Sequence, residues 1–286
     1  CLKVNQFFSN TFCLFSLRKK SFAGEIVLIT GSANGIGKQV ALKLAPLGVT
    51  LVLWDIDDEG NKETSRLAQQ KGAGRVFVYH CDCSNRQDVY EQADKVRKEV
   101  GDVTILINNA GILTGKKFCD LTDEDFEKTF RINFFSQVWT CKAFLPAMVA
   151  CNRGHLVSTA STAGILGFYR MSDYSASKSA IIGMMEAINS ELYHAGKRGI
   201  KTTIVCPYFI STRLSRGFRR NLIGEWALLM FCAPRNLGSV ITVRAVRYPC
   251  MTCPYSLCPT VCTGTYCASD DNGCGDGIWW VALWLQ

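Results

Sequence analysis

Several features that would mark special classes of protein are missing from this sequence of 286 residues. It has no internal repeat and no low-complexity linker. Its share of hydrophobic residues, 48%, is ordinary for a globular protein and excludes a disordered or collagen-like chain. The net charge of +8 is spread along the sequence, and no nucleic-acid-binding motif accompanies it. We therefore expect no nucleic-acid partner.

The N-terminal end lacks a segment that could span a bilayer. The apolar stretch at 7–17 is broken by four polar residues and stops at a basic triplet, 18–20, whereas a spanning helix needs about 20 apolar residues. No signal-peptide cleavage pattern follows. Residue 1 is Cys, so we expect the sequence to start inside a longer chain. Residues 1–22 are then either a frayed, partly buried leader or the remnant of a membrane anchor with a basic cytoplasmic flank.

Residues 24–220 alternate between short apolar runs and longer stretches with helical spacing. The runs are typical of buried parallel strands, and they are Ile26–Ile29, Thr50–Trp54, Val76–Tyr79, Val103–Ile107, His155–Thr159 and Thr202–Cys206. The helical stretches are Gly37–Leu47, Gly60–Lys71, Asp88–Val100, Phe126–Ala150 and Tyr174–Ala195. This alternation predicts a single α/β domain, a Rossmann-type doubly wound parallel sheet, with ligands bound at the carboxyl ends of the strands.

A glycine-rich turn follows the first predicted strand and runs into a helix pattern. Glycines leave room for the backbone to approach a pyrophosphate, and the helix N-terminus offers free N–H groups. Many strand-to-helix turns contain glycine, but this one opens the first strand–helix unit of the chain, where a dinucleotide-binding turn belongs. The residues predicted to bind there are Gly31, Ser32, Asn34, Gly35, Ile36 and Gly37.

Three further strand ends carry residues suited to the same cleft. Asp55 ends the second strand, where its carboxylate would bind ribose hydroxyls and repel a 2′-phosphate, which favours NAD over NADP. Asp82 follows the third strand and could meet the adenine edge. Asn109, Ala110 and Gly111 follow the fourth strand and suit a tight turn against the cofactor. Each of these could also be an ordinary loop end.

Tyr174 and Lys178 lie four residues apart at the start of a predicted helix, so their side chains share one face. A phenol with a pKa of about 10 is a poor base at neutral pH, but an adjacent cation favours its phenolate. Tyr174 is therefore a candidate general base, and Lys178 is a candidate for the cation that lowers the pKa of Tyr174. By itself the spacing is common by chance, and a half-buried tyrosine beside a solvated lysine is the ordinary alternative.

Other polar residues give this pair a context. Ser161 lies just past the fifth predicted strand, where its hydroxyl could hold a substrate oxygen, and Ser158 and Thr162 compete for that role. Asn133 lies in a long helical stretch and could complete a polar relay through water to Lys178.

These residues together resemble the short-chain dehydrogenase/reductase family. The resemblance covers residues 24–220 and rests on Thr30–Gly37, Asp82, Asn108–Gly111, Asn133, Ser161 and the pair Tyr174 and Lys178. More narrowly, Ala23–Gly31, Leu51–Ile56, Gly101–Val103 and Lys201–Thr203 look like the branch of epidermal retinol dehydrogenase and 17β-hydroxysteroid dehydrogenases 11 and 13. The resemblance implies an NAD-dependent enzyme that interconverts an alcohol and a carbonyl on a lipophilic substrate. Retinol is expected first and a 17β-hydroxysteroid second.

The resemblance also implies a role for each site residue. Tyr174 would remove the hydroxyl proton as hydride leaves the carbinol carbon, and Lys178 would lower the tyrosine pKa and bind the nicotinamide ribose. Ser161 would orient the substrate oxygen, and Asn133 would hold the relay water.

Two further cofactor contacts are implied after the sixth predicted strand. They are Pro207 and Thr212, of which Thr212 matches the threonine expected at the carboxamide. Tyr208 stands where the family usually has glycine, a minor departure.

Members of this branch are generally microsomal or lipid-droplet proteins with an N-terminal anchor. The resemblance therefore favours the anchor interpretation of residues 1–22, with a cytosolic catalytic domain on the endoplasmic reticulum or a lipid droplet. Family dimers use a helix bundle that includes Phe126–Ala150 and Tyr174–Ala195, and both stretches are present here. The resemblance thus allows a homodimer, while the sequence leaves the oligomeric state open. The alternative is a catalytically impaired NAD-binding protein of the same membranes, because its substrate pocket is altered.

The resemblance stops near Asn221, and residues 221–286 form a divergent tail. Ser239–Val246 is strand-like but lacks the expected context. Six of the 15 cysteines lie in this tail, namely Cys250, Cys253, Cys258, Cys262, Cys267 and Cys274. Only the first two have zinc-type spacing and no histidine follows, so no metal is expected. A disulfide framework conflicts with a cytosolic NAD enzyme, and we expect a non-homologous, Cys-rich tail.

Overall fold

The structure is a computed structural model that describes residues 21–207, Thr212, Leu214 and two strands at 241–245 and 263–266. Residues 1–20, Tyr208 and the six clustered cysteines lie outside the described residues. Phe22, which the sequence analysis placed with the anchor segment, is described and is buried in the core of the domain.

Six strands form a parallel sheet, and helices connect them. The strands are β1 (Ile26–Thr30), β2 (Thr50–Asp55), β3 (Arg75–His80), β4 (Ile105–Asn108), β5 (Gly154–Thr159) and β6 (Ile200–Pro207). The helices are α1 (Gly35–Leu44), α2 (Asp58–Gln70), α3 (Arg86–Glu99), α4 (Asp123–Phe130), α5 (Ser136–Cys151) and α6 (Ser172–His194). The spatial order is β3-β2-β1-β4-β5-β6, so the winding direction reverses between β1 and β4. The prediction of a doubly wound α/β sheet is confirmed. The connections that leave β1 and β4 run in opposite directions, and this opens a cleft beyond the carboxyl ends of the two strands.

Two antiparallel strands extend the sheet beyond β6, which the sequence analysis did not include in the fold. β7 (Ile241–Ala245) lies within the strand-like stretch Ser239–Val246, and its Ile241 pairs with Pro207 of β6. β8 (Thr263–Tyr266) pairs with β7. The sheet is therefore mixed at this edge rather than parallel throughout.

The two faces of the sheet bury two separate apolar layers, because successive strand residues point to opposite sides. On one face, residues such as Ile29 and Leu53 pack with apolar residues of α1. On the other, Trp54 and Leu106 pack with residues of α3, α5 and α6. The Trp54 ring lies 5.8 Å from the ring of Phe144 on α5. Burial on both faces explains why the strands appear in the sequence as continuous apolar runs.

Among the described residues, no helix has both the length and the apolar character needed to cross a membrane.

We predict that the central strands carry much of the stability of the domain. Leu106 of β4 is fully buried, so Leu106→Ala should lower the free energy of unfolding by about 2–5 kcal/mol. The matched control is Leu166→Ala at an exposed loop position, which should change it by less than about 0.5 kcal/mol. Urea unfolding followed by circular dichroism measures both, and equal effects would contradict the assignment of β4 to the core.

Candidate active site

A cavity of about 640 Å³ opens at the carboxyl ends of the parallel strands. Most of the residues predicted for the site line it: Gly31, Asn34, Gly35, Ile36, Asp55, Asp82, Asn109, Ala110, Gly111, Ser161, Tyr174, Lys178, Pro207 and Thr212. Ser32, Gly37 and Asn133 do not line it and lie behind its wall. The structure thus brings together residues that are up to 181 positions apart in the sequence, from Gly31 to Thr212.

The glycine-rich turn is shaped by close backbone approaches. Gly31 has a φ of +67°, and a Cβ on it would lie 2.9 Å from the Cα of Ala110. A Cβ on Gly37 would lie 2.2 Å from the carbonyl oxygen of Gly31. Both positions therefore require glycine. α1 has no side-chain cap and no acidic residue in its first turn, so its N-terminal N–H groups remain available to a phosphate.

Ser32 ties this turn to α2 instead of facing the cavity. It is fully buried, and its hydroxyl lies 2.8 Å from Oδ1 of Asn61 and 3.2 Å from the carbonyl oxygen of Trp54. The Ser32 side chain is therefore not available to a cofactor, and only the backbone of Ser32 is left for the predicted contact.

Thr30 and Asn109 connect the ends of β1 and β4. The N–H groups of Asn109 and Ala110 donate to Oγ1 of Thr30 at 2.9 and 3.1 Å. The Asn109 side-chain amide donates to the carbonyl oxygens of Thr30 and Gly31 at 3.0 and 3.1 Å. The Asn109 side-chain amide thus fixes the glycine-rich turn in place. Since this amide is used within the wall, Asn109 faces the cavity mainly with its backbone.

The two aspartates at the strand ends are held by backbone N–H groups. Asp55 accepts from Ala33 at 2.8 Å through Oδ2 and from Asp57 at 3.0 Å through Oδ1. Asp82 accepts from Ser84 at 2.9 Å. Both carboxylates line the cavity and keep acceptor capacity for further hydrogen bonds, because a carboxylate can accept about four.

Tyr174, Lys178 and Ser161 meet at the centre of the cavity wall. Tyr174 and Lys178 are buried on the same face of α6, and Nζ of Lys178 lies 5.5 Å from the centre of the tyrosine ring. The ammonium donates to the carbonyl oxygen of Thr159 at 2.9 Å, a partner that the sequence did not indicate. Ser161 accepts from the N–H of Ala163 at 3.1 Å and donates to the carbonyl oxygen of Pro207 at 3.4 Å.

Burial acts on both titratable groups of this pair. It raises the pKa of Tyr174, and the Ser161 hydroxyl opposes that rise. Burial lowers the pKa of Lys178 to about 8, with the nearby Cys206 acting in the opposite direction. Desolvation disfavours the charged form in each case. The sequence analysis invoked only the attraction between the two groups, and burial was not foreseen there.

Asn133 lies in a π-helical turn (Arg131–Phe135) that joins α4 to α5. Its Oδ1 accepts from the N–H of Ile112 at 2.8 Å, and its Nδ2 donates to Ile112 and Ser177 at 3.1 Å each. Oδ1 of Asn133 and Nζ of Lys178 lie 3.2 and 3.6 Å from the position of a Cβ on Gly111. Asn133 is therefore next to the lysine, but its amide is mostly committed to fixing the 111–113 loop.

Sequence reasoning missed the apolar end of the cavity. Leu113, Phe168 and Met171 line it and pack together with Tyr174. Met171 precedes Tyr174 by one helical turn, a spacing that could have indicated it. Leu113 and Phe168 lie in loops, where no periodic signal exists. The lining carboxylates Asp55 and Asp82 belong to the opposite end, so the cavity has a polar and an apolar half.

Fold and site together define a dinucleotide-binding α/β domain with a tyrosine–lysine pair beside the cofactor cleft. The sequence profile of the short chain dehydrogenase family matches residues 25–222. The chain belongs to this family.

Similar proteins were found by sequence and by structure. The chain is 54% identical to epidermal retinol dehydrogenase 2 of Homo sapiens over 72% of this chain and 67% of that protein. It is 45% identical to estradiol 17-beta-dehydrogenase 11 of Macaca fascicularis over 71% of this chain and 66% of that protein. A short chain dehydrogenase/reductase from Burkholderia phymatum, solved in complex with NAD, has a TM-score of 0.66 and 32% identity, covering 72% of this chain and 74% of that chain. The chain spans 63 to 67% of the length of curated relatives such as these.

We predict that the buried Lys178 makes stability depend on pH. The pKa of Lys178 is about 8 in the folded state, below its value in the unfolded state. At pH values between these two pKa values the unfolded state binds more protons, so the free energy of unfolding rises with pH in that range. From pH 8 to 10 the wild type should gain roughly 2 kcal/mol in unfolding free energy relative to Lys178→Met.

Urea unfolding at several pH values tests this, and the difference cancels the other titrating groups to first order. Lys142→Met, at an exposed position of α5, is the matched control and should show no such trend. A constant difference between wild type and Lys178→Met would contradict the burial argument.

Proposed function

We propose that this chain is an NAD-dependent dehydrogenase that interconverts an alcohol and a carbonyl on a lipophilic substrate, with retinol as the first candidate. The observation that carries the proposal is the buried group of Tyr174, Lys178 and Ser161 between the two halves of one cavity. The identity of 54% to an epidermal retinol dehydrogenase supports the choice of substrate. The activity of the whole protein remains part of the proposal, because the chain covers only about two thirds of that relative.

The proposed domain organisation follows the sequence boundaries with one correction. The sequence analysis drew the anchor segment at 1–22, but Phe22 is buried in the core, so we end the proposed anchor at residue 20. The catalytic domain then runs to residue 220, and 221–286 is a divergent tail. The family match at 25–222 is consistent with these limits. We place the catalytic domain on the cytosolic side of the endoplasmic reticulum or a lipid droplet.

The nucleotide half of the cavity fits a nicotinamide dinucleotide. The close approach at Gly31 and Gly37 leaves no room for side chains beside the turn, and the uncapped start of α1 can receive a phosphate. Asp55 would meet the adenosine ribose, where its charge disfavours a 2′-phosphate and favours NAD. The residues that would hold the cofactor are those that line this half, with Thr212 next to Gly35.

A nicotinamide cofactor held by the residues of the nucleotide half would provide the acceptor or donor of the hydride. Tyr174 takes the hydroxyl proton during oxidation and returns one during reduction. Ser161 holds the substrate oxygen, and its hydroxyl partly opposes the rise in the pKa of Tyr174 that burial causes. Lys178 places a positive charge near the ring, which favours the phenolate against the cost of burial. Thr159 and the loop held by Asn133 keep that charge in position.

The apolar half of the cavity supports a lipophilic substrate. Leu113, Phe168 and Met171 offer no charge or strong hydrogen-bonding group beside Tyr174. A polar alcohol would lose hydration there without replacement, whereas a hydrocarbon chain or ring gains from burial. A 17β-hydroxysteroid is the second candidate, because the chain is 45% identical to an estradiol dehydrogenase.

We propose a homodimer through α5 and α6. α5 is apolar around most of its circumference, which is typical of a helix covered on all sides. Partly exposed residues such as Trp139 and Leu145 on α5 and Ile182 on α6 would lie in the interface.

We predict that Tyr174→Phe lowers the NAD-dependent oxidation of retinol by at least about 100-fold, because the variant has no group to accept the hydroxyl proton. Production of NADH and retinal measures the rate. Tyr90→Phe on α3 is the matched control and should retain activity. NADH binding, followed by fluorescence, should persist in both variants.

The same measurements separate the alternatives. A wild type that oxidises estradiol faster than retinol would favour the steroid dehydrogenase. A wild type that binds NADH and turns over neither substrate would favour the catalytically impaired protein. Full activity in Tyr174→Phe would contradict the mechanism.

We predict that Asp55→Asn narrows the preference for NAD over NADP, since the amide removes the charge that repels a 2′-phosphate and keeps an acceptor for the N–H of Ala33. The ratio of kcat/KM for the two cofactors should shift towards NADP by about tenfold. Asp58→Asn, outside the cavity lining, is the control. An unchanged ratio in Asp55→Asn would remove Asp55 as the selecting residue.

A further inference from the structure

The loop between β5 and α6 exposes a cluster of large apolar side chains. Ile165, Leu166 and Tyr169 are 56, 45 and 59% exposed. Seven large hydrophobic side chains are exposed in the part of the chain that the structure describes, and these three fall within five consecutive residues. A fourth, Leu214, lines the mouth of the cavity. Clustering of this kind indicates an interaction surface, whereas isolated exposed residues are ordinary.

The base of this loop is fixed firmly on α6. A Cβ on Gly164 would lie 2.8 Å from the carbonyl carbon of Lys178, so the chain packs directly against the helix there. The Ser179 hydroxyl donates to the carbonyl oxygen of Gly164 at 2.8 Å. The N–H groups of Ile165 and Leu166 both donate to the carbonyl oxygen of Thr162. The apolar tip is therefore held away from the core by contacts beneath it.

The charge around the tip is of one sign. Residues 161–172 contain no acidic residue, and Arg170 is exposed beside Tyr169. Asp173, the next acid along the chain, is buried and accepts a hydrogen bond from Thr129 at 2.8 Å. Exposed aliphatic and aromatic side chains beside a cation, with no acid in the same loop, complement an anionic lipid surface.

The same loop also faces the cavity. Phe168 and Met171 line its apolar half beside Tyr174, while Ile165, Leu166 and Tyr169 point outwards from neighbouring positions. We propose that Ile165, Leu166, Tyr169 and Arg170 form a lipid-docking surface that holds the mouth of the cavity against an anionic bilayer. A lipophilic substrate then enters from the bilayer without crossing water, a consequence that rests on the proposed function. The docking itself does not depend on turnover.

Flotation with vesicles tests the docking surface. The whole chain is mixed with phosphatidylcholine vesicles, with and without phosphatidylserine, in the absence of substrate. The triple variant Ile165→Ser, Leu166→Ser, Tyr169→Ser should bind at least about tenfold more weakly than wild type. Arg170→Gln should weaken binding by about fivefold with phosphatidylserine only, and high salt should remove that difference.

Phe118→Ser is the matched control, because Phe118 is 67% exposed on a separate turn, Phe118–Asp120, and its replacement should leave binding unchanged. All variants carry residues 1–20, so any lipid affinity of that segment is common to them. Leu166→Ser alone repeats the test with a smaller loss if the triple variant does not fold.

Equal vesicle binding by wild type and the serine variants would overturn the proposal. So would a change in oligomeric state without a change in lipid binding, measured by sedimentation velocity, since a second copy would then cover the surface. Loss of lipid binding together with normal oxidation of detergent-solubilised retinol supports the proposal. Normal docking by a chain that oxidises no alcohol would refute the proposed function alone.

Discussion

The hydrogen bonds between Thr30 and the Asn109–Ala110 turn hold the switch point of the sheet together. β1 and β4 are parallel neighbours whose connections leave in opposite directions, so a cleft opens beyond their carboxyl ends. The Thr30 hydroxyl accepts hydrogen bonds from the N–H groups of Asn109 and Ala110. In the opposite direction, the Asn109 side-chain amide donates to the carbonyl oxygens of Thr30 and Gly31. The spacing of the nucleotide half of the cavity depends on this connection, because both of its walls are fixed by it.

The chemistry of the other half depends on burial. Lys178 remains a cation near neutral pH although burial lowers its pKa to about 8, and Thr159 gives it a carbonyl partner. Tyr174 is pushed towards the neutral phenol by the same burial. The Ser161 hydroxyl opposes that rise in the pKa of Tyr174. The apolar residues that bury the pair also line one half of the cavity.

The loop between β5 and α6 connects the cavity with the surface of the protein. Its Gly164 rests on the backbone of Lys178, its inner residues meet the cavity and its outer residues are exposed. A short segment with apolar side chains on both faces is costly in water unless its outer face has a partner. The packing of Gly164 against α6 therefore has two effects. It helps to fix the position of Lys178, and it leaves the outer side chains of the loop exposed.

The sequence by itself determined the six parallel strands, the glycine turn and the shared face of Tyr174 and Lys178. These features follow from local periodicity and from spacing along one chain segment. Tertiary structure alone decided that Ser32 and Asn133 stand behind the cavity wall, that Asn133 lies in a π-helical turn, and that β7 adds to β6 in antiparallel fashion. It also decided the apolar half with Leu113 and Phe168, and the shifted pKa of Lys178. All of these features depend on contacts between residues that are distant in the sequence and on the exclusion of water around them. A local sequence pattern encodes neither the contacts nor the exclusion of water.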